Sequence, residues 1–493
     1  MPISPMSEQT PQAAPFVVTL LSDVGTPVSV FHKLIQGAST GFLFESTEGD
    51  SRLARYSIIG VNPIKTISFK NGEAVLCDHV NDIKHAQSVS NPLQLLSSIL
   101  EKESRALSTK RLPFPFSGGL VGYLGYGATR YFEGIAQQSH DPFGVPEGYW
   151  GLYDSMVVFD HQFRTINVIS HRGQAHARGI VETLTAPCRL EPLLHKEGDT
   201  LERQVFDGVT GPFTEDSFVS LVSQSKAYIV EGQVFQIVLS QRFSLPVTSQ
   251  PLDVYRLLQS VNPSPYAYFL KFPEFAYLGS SPETFVQCQD GRVILRALAG
   301  TRPRGATDEE DSRLSSELRS NEKELAEHMM LVDLGRNDLG RVCRAGSVRT
   351  GPIATVSKYR HVMHLATEIE GMLRADRTCF DVFQSCFPRG TVSGAPKVRA
   401  MELLACLEPE QRGIYSGVVG YFDLHGNMDG AIAIRSALIK DGWAHVNAGA
   451  GVVFDSDPLS EYHETRNKAR SVISALKLAE QSKRAGQIDP QAR

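Results

Sequence analysis

The chain has 493 residues, 42% hydrophobic and 21% charged, with a formal net charge of −5. This composition supplies ample core material, and the mild negative charge argues against a general nucleic-acid or membrane-surface binder. At ~150 residues per domain the length suggests roughly three units, or else one large α+β body. The seven cysteines include no C-x-x-C pair. That fits reduced thiols in a cytoplasmic protein better than a disulfide framework or a zinc site.

Residues 1–15, "MPISPMSEQTPQAAP", lack a basic region followed by an apolar run and read as a disordered leader. From Phe16 to about Ile169 the pattern is mostly strand-like. "YSIIGVNPIKTISFKNGEAVL" places Asn-Pro and Asn-Gly breaks between β-branched runs, predicting strands and a hairpin. "NPLQLLSSILEKESRAL" has helical spacing, and "YWGLYDSMVVFDHQFRTINVIS" reads as a second hairpin. A polar, poorly periodic stretch at 186–213 predicts a linker between an N-terminal domain (16–185) and a second domain (214–480), followed by a tail (481–493). In the second domain helices and strands alternate irregularly, which predicts an α+β fold.

Three glycine-containing stretches are candidate anion cradles: "LAGTRPRG", "RGTVSGAPK" and "NAGAGVV". Arg296, Arg302 and Arg304 make the neighbourhood of the first positive. None is a P-loop, so nucleotide binding is disfavoured. Glu324 and Glu327 are three apart on one predicted helix, and Glu461 and Glu464 on another, so each pair shares a face. Such pairs either converge on a hard, all-oxygen Mg²⁺ site or form solvated faces. Glu283 in "GSSPETF" is either a general acid or a helix first-turn acid after Pro282. His364 either moves a proton or is a satisfied histidine on a half-buried helix. Arg435, a lone charge in the apolar strand "AIAIRSALI", must meet an anion, either a ligand or an internal carboxylate.

Taken together, "LAGTRPRG", "EHMMLVDLGRNDLGRV", "PRGTVSGAPKVRAMELL", "YSGVVGYFD", "AIAIRSALI", "NAGAGVVFDSDP" and "ETRNKA" resemble the chorismate-utilising enzymes. "FLFESTEGDSRLARYSIIG" and "NPSPYAYFL" narrow the resemblance to the large subunits of anthranilate synthases. It spans about residues 16–480. It implies a large α+β body of packed β-sheets surrounded by helices, with the N-terminal domain regulatory and the second catalytic. It implies Mg²⁺ held by Glu327 and Glu464, with Glu324 and Glu461 as second carboxylates. Gly300 and Thr301 then contact chorismate, and Tyr415 and Arg435 grip the enolpyruvyl carboxylate. The backbone of Gly449, Ala450 and Gly451 cradles the ring carboxylate. Glu283 protonates the departing C4 hydroxyl, and His364 serves pyruvate elimination. Ala299 stands where aminodeoxychorismate synthases often carry a nucleophilic lysine, and Gln236 where isochorismate and salicylate synthases carry a lysine that activates water. With neither lysine, ammonia is the expected nucleophile.

No cysteine lies in a G-x-C-x-G elbow, so the resemblance implies a separate glutamine amidotransferase subunit as ammonia source. Ser46, Pro263, Ser264 and Pro265 resemble a tryptophan feedback site, with Phe44 where the family more usually has leucine. The competing readings are an aminodeoxychorismate synthase component lacking its lysine and a catalytically silent regulator that binds tryptophan or chorismate.

Overall fold

The structure is a computed structural model, described here for residues 14–46, 55–107, 110–136, 138–193, 204–359 and 362–488. Most of the expected leader, residues 194–203 of the expected linker and the end of the expected tail lie outside those residues.

Two large antiparallel sheets dominate, one of 11 strands and one of 12 among the described residues. In the first, Phe16–Leu21, Thr165–Ser170, Ser155–Asp160, Tyr56–Val61 and Gly41–Glu45 lie side by side. The sheet continues through Tyr266–Lys271, Phe275–Ser281, Ser436–Lys440, Trp443–Val452 and Gln236–Pro246. In the second, Gly119–Leu124 of the N-terminal half pairs with Val418–Asp423 of the C-terminal half. Both sheets thus take strands from both sides of residues 186–213. The expected linker joins strands of shared sheets instead of dividing two cores.

The asparagine breaks explain how one strand run feeds two sheets. Asn62, at φ 52°, turns the chain from Tyr56–Val61 in the first sheet to Lys65–Lys70 in the second. Asn71 and Gly72, both at positive φ, then close the expected hairpin onto Glu73–Asp78. The sheets face each other across a core in which Phe42, Ile58 and Tyr268 of the first meet Val121, Tyr123 and Val419 of the second. Helices Pro27–Ile35, Gln174–Thr185, Pro251–Val261 and Pro458–Ile488 cover the outer face of the first sheet. Helices Pro92–Ala106, Glu322–Gly340 and Cys379–Cys386 cover the second. The α+β architecture of packed sheets surrounded by helices is therefore observed. Each large apolar side chain fully buried between these layers contributes about 1.5–3 kcal/mol.

Four local expectations are corrected. "LAGTRPRG" is not a loop: it continues the strand Arg292–Pro303, with a register shift between Ala299 and Arg302 and Gly300 at φ 61°. A glycine that tolerates positive φ serves a bulge as well as a turn. "NAGAGVV" likewise belongs to the strand Trp443–Val452. His364 lies on the strand Val362–Met372, not a helix, and Glu283 lies between two strands. The apolar run around Arg435 is broken: Met428–Ile432 and Ser436–Lys440 belong to different sheets, and Arg435 crosses between them at φ 52°.

Candidate active site

A cavity of about 690 Å³ opens among strands of both sheets and two helices. Glu283, Gly300, Thr301, Glu324, Glu327, His364, Tyr415, Arg435, Gly449, Gly451, Glu461 and Glu464 all line it. Ala450 does not; its position between Gly449 and Gly451 turns its side chain into the core, at 0% exposure.

The elements explain the placement. Asn321 ends one helix and caps the next, its Oδ1 accepting from the Glu324 backbone N–H at 3.0 Å. That sets Glu324 and Glu327 in the first turns of Glu322–Gly340, facing the cavity. The first turns of Pro458–Ile488 present Glu461 and Glu464. Glycine at 300 makes room for this convergence: a Cβ there would stand 2.8 Å from Glu324 Oε2. At 449 a Cβ would meet Leu239 O at 2.7 Å and Tyr415 Oη at 3.0 Å. The strand carrying Gly449 pairs with Ser436–Lys440 only as far as Val446. Beyond it the strand pairs on one side, with Gln236–Pro246, and alternate backbone N–H groups face away from that partner.

Charge in the cavity is unevenly matched. Glu327 Oε1 accepts from Gln236 Nε2 at 3.0 Å, while burial, together with repulsion from Glu324 and Glu464, raises its pKa. Burial and then Glu464 raise that of Glu461, whose Oε2 is buried without a hydrogen-bond partner. Glu464 pairs with Lys468 at 2.6 Å, and the same Lys468 ammonium donates to Gly449 O at 3.0 Å. Arg302 Nη1 donates to Glu324 at 3.1 Å. These hard carboxylate oxygens, one of them orphaned, fit a cation such as Mg²⁺ that draws its remaining ligands from substrate and water. Among the described residues no three His, Cys, Asp or Glu side chains are arranged to hold a metal ion by themselves, so a cation here would take most of its ligands from substrate and water.

Glu283 is buried, and burial raises its pKa against the lowering effect of Arg389, of the Thr391 hydroxyl at 2.8 Å and of Lys468. A carboxyl so placed holds its proton to higher pH than an ordinary glutamate. His364 Nδ1 lies 2.8 Å from Gly300 O and 3.1 Å from Thr301 Oγ1. The carbonyl can only accept, so Nδ1 carries the proton and Nε2 presents a lone pair. Burial, and to a lesser extent Arg435, lower its pKa and keep the ring neutral. Arg435 donates from Nη1 to Lys468 O. Burial lowers its pKa, and it stands near Tyr415, itself 6% exposed and pushed up to about 12 by burial.

The arginines of the "LAGTRPRG" stretch are matched internally: Arg296 by Glu368, Arg302 by Glu317 and Glu324, and Arg304 by Asp311. Ala299 lines the cavity and brings no nucleophile. Sequence reasoning missed Thr391, which holds Glu283, and Lys468, which ties Glu464 to the Gly449 strand. The i, i+4 spacing of Glu464 and Lys468 was a usable signal; nothing local distinguished Thr391.

Ser46 and Pro265 line a second cavity of about 120 Å³ with Phe44, Tyr56, Tyr266, Tyr268, Tyr421 and Asp429. Pro263 and Ser264 do not line it. Ser264 is buried, its hydroxyl 2.7 Å from that of Ser280.

A family model described as chorismate binding enzyme matches residues 40–474. Anthranilate synthase component 1 of Acetivibrio thermocellus is 40% identical over 480 residues, 94% of this chain and 95% of that one. Its counterpart from Pseudomonas putida is 41% identical over 481 residues, 95% and 96% of the two chains. The crystal structure of anthranilate synthase component I from Streptococcus pneumoniae matches with a TM-score of 0.76 at 36% identity, covering 92% of this chain and 99% of that one. The menaquinone-specific isochorismate synthase of Escherichia coli shares the fold, with a TM-score of 0.68 at 19% identity over 95% and 96% of the chains. With the family model spanning most of its length, this chain belongs to the chorismate binding enzymes.

Proposed function

We propose that this chain is the large subunit of an anthranilate synthase, converting chorismate and ammonia to anthranilate and pyruvate as the committed step of tryptophan biosynthesis. One observation carries the reading: a single cavity gathers a buried carboxyl whose pKa burial raises, an arginine beside a tyrosine, and two helix-borne glutamate pairs. Chorismate is a dianion whose C4 hydroxyl leaves only with a proton, and this set answers both needs.

Arg435 and Tyr415 hold the enolpyruvyl carboxylate, and the backbone N–H groups of the 449–451 strand face the ring carboxylate. Ammonia forms a bond to C2, the ring double bonds shift, and the C4–O bond breaks. The Glu283 proton goes to the leaving oxygen, which departs as water and leaves Glu283 ionised. The ammonium formed at C2 gives up a proton, which restores the Glu283 acid. The neutral His364, with Nε2 open, takes or relays the C2 proton as the C3–O bond breaks and the ring becomes aromatic, and the released enolpyruvate takes up a proton to become pyruvate. Glu327 and Glu464, with Glu324 and Glu461 behind them, would hold Mg²⁺, whose charge when bound offsets that of the ring carboxylate. Thr301 orients His364. Ala299 and Gln236 supply neither a covalent nucleophile nor a base for water, which leaves ammonia.

The ammonia comes from glutamine through a separate amidotransferase subunit, and tryptophan inhibits from the cavity at Ser46 and Pro265. The setting proposed is the cytoplasm; no helix of the described residues is long and apolar enough to cross a membrane.

The test is purified chain with chorismate, Mg²⁺ and an ammonium salt at alkaline pH, with and without tryptophan. Anthranilate and pyruvate in equal amounts, suppressed by tryptophan, are expected. An amino-substituted product that never aromatises overturns the reading in favour of an aminodeoxychorismate synthase. Tight binding without turnover overturns it in favour of a silent regulator.

A further inference from the structure

Behind the cavity wall, and absent from its lining, lies a buried ion pair. Arg412 is 4% exposed and Glu408 5% exposed, with side chains that meet through two parallel hydrogen bonds of 2.6 and 2.7 Å. The remaining guanidinium N–H groups are directed elsewhere. Nη1 donates to Val392 O at 2.7 Å and to Ser416 Oγ at 3.2 Å, and Nη2 donates to Val238 O at 2.6 Å. All five donors of the guanidinium are therefore used. Its plane also stacks on the Tyr126 ring, with the carbon 4.6 Å from the ring centroid. Glu408 is held in turn by the backbone N–H of Ser240 at 2.9 Å and its hydroxyl at 3.1 Å.

What these bonds join is specific. Val238 and Val392 line the cavity, and Ser416 follows Tyr415, which also lines it. Val392 follows Thr391, whose hydroxyl holds Glu283. Val238 lies two residues from Gln236, whose amide holds Glu327. Three separate stretches of wall, carrying Thr391 that holds Glu283, Gln236 that holds Glu327, and Tyr415, thus meet on one guanidinium that lies outside the cavity lining. Burying two charges is costly, and apolar replacement of such pairs is often neutral or favourable to stability. Geometry is what this pair supplies and a hydrophobic pair would not. A lysine at 412 presents three rotatable donors and no planar fork, so it cannot make the same set of bonds.

We propose that Arg412, oriented by Glu408, is a positioning residue that fixes Glu283 and Tyr415 relative to one another for the chorismate reaction. The proposal rests on the function given above, and its test has one arm that does not depend on turnover. In Arg412→Lys, amide hydrogen exchange at residues 236–240 and 390–393 is expected to rise at least tenfold over wild type, with distant strands such as 155–160 unchanged. In the activity arm kcat falls about 100-fold, the cost of a displacement of order 1 Å at a reacting centre, and KM for chorismate changes less than kcat. In Arg412→Gly, millimolar guanidinium is expected to restore kcat at least tenfold and methylammonium is not. Exchange at the two segments within twofold of wild type, or a normal kcat per folded molecule in Arg412→Lys, overturns the proposal. If the wild-type chain itself forms no anthranilate, the functional reading falls, and the exchange arm still decides whether Arg412 holds the wall.

Discussion

The two cavities are both walled by strands of both sheets, yet their linings are opposite in character. The larger, about 690 Å³, holds Arg435, Lys468, the two glutamate pairs and Glu283. The smaller, about 120 Å³, is aromatic, with acidic groups only at Glu45 and Asp429. Charge in the first is partly matched within the protein, by Lys468 on Glu464 and Arg302 on Glu324; in the second, aromatic rings supply most of the surface. A single short segment serves both. Asp429, Gly430 and Ala431 line the smaller cavity, and Ile434 and Arg435 of the same run line the larger. Arg435 O accepts from Ser280 N at 3.1 Å, and the Ser280 hydroxyl meets that of Ser264, next to Pro265. A difference in lining chemistry thus coexists with a shared backbone, which any coupling between sites requires.

The largest expected effect tests the separation of the two. Arg435→Gln removes the proposed partner of a substrate carboxylate, so kcat/KM for chorismate should fall about 1,000-fold, equivalent to ~4 kcal/mol. Tryptophan affinity, measured by calorimetry, should stay within about threefold; a comparable loss there would mean that the cavities are not separable. Glu283→Gln should lower kcat by about 100- to 10,000-fold. It also has a pH signature. Burial raises the Glu283 pKa, so the donor is present below that value and the wild-type rate falls as pH rises through it. The glutamine variant, assayed at fixed free ammonia, should lack that fall.

A milder change sharpens the comparison from the other side. Ser46→Phe fills the aromatic cavity, and overpacking of ~1–3 kcal/mol should weaken tryptophan inhibition by about 10- to 100-fold. Turnover without tryptophan should remain within twofold; an unchanged inhibition curve would dissociate this cavity from regulation. Phe44 is also in its lining.

Asp429 offers the smallest effect. Burial pushes its carboxyl to about 7 against hydrogen bonds from Tyr266 and Gln287. The native chain then keeps a proton that the unfolded chain releases, so this group's stabilisation is full below about 4 and is lost as pH rises to about 7. Asp429→Asn should abolish that trend, raising the melting midpoint relative to wild type by roughly 1–2 °C per pH unit across the window. A constant difference at every pH would assign Asp429 an ordinary ionisation.

Much of the site was legible because helical spacing is local. Glu324 with Glu327, and Glu461 with Glu464, share faces whatever the rest of the chain does, and both faces meet the cavity. Sheet order was not legible, since pairing of Gly119–Leu124 with Val418–Asp423 joins segments about 300 residues apart with no local mark of the partner. Arg435 was read inside a continuous strand because its apolar neighbours hide a change of sheet. His364 was read on a helix because "HVMHLATEIEG" suits either state, and its pairing with Arg292–Pro303 decided the matter. The linker at 186–213 was polar as expected, but polarity marks exposure and says nothing of which sheets the flanking strands join.

The interleaving of the two halves has a consequence for synthesis. As the chain emerges from the ribosome, Gly41–Glu45 waits for Tyr266–Lys271, and Gly119–Leu124 waits for Val418–Asp423. Neither sheet can close until most of the polypeptide has been made. Until then the N-terminal half presents open strand edges carrying Phe42, Leu43 and Leu120, residues that end up at 0 or 1% exposure. Folding governed by such late, distant pairings is slow, and its half-made forms are the ones prone to associate. Division of the gene within 186–213 would make that transient exposure permanent in both products.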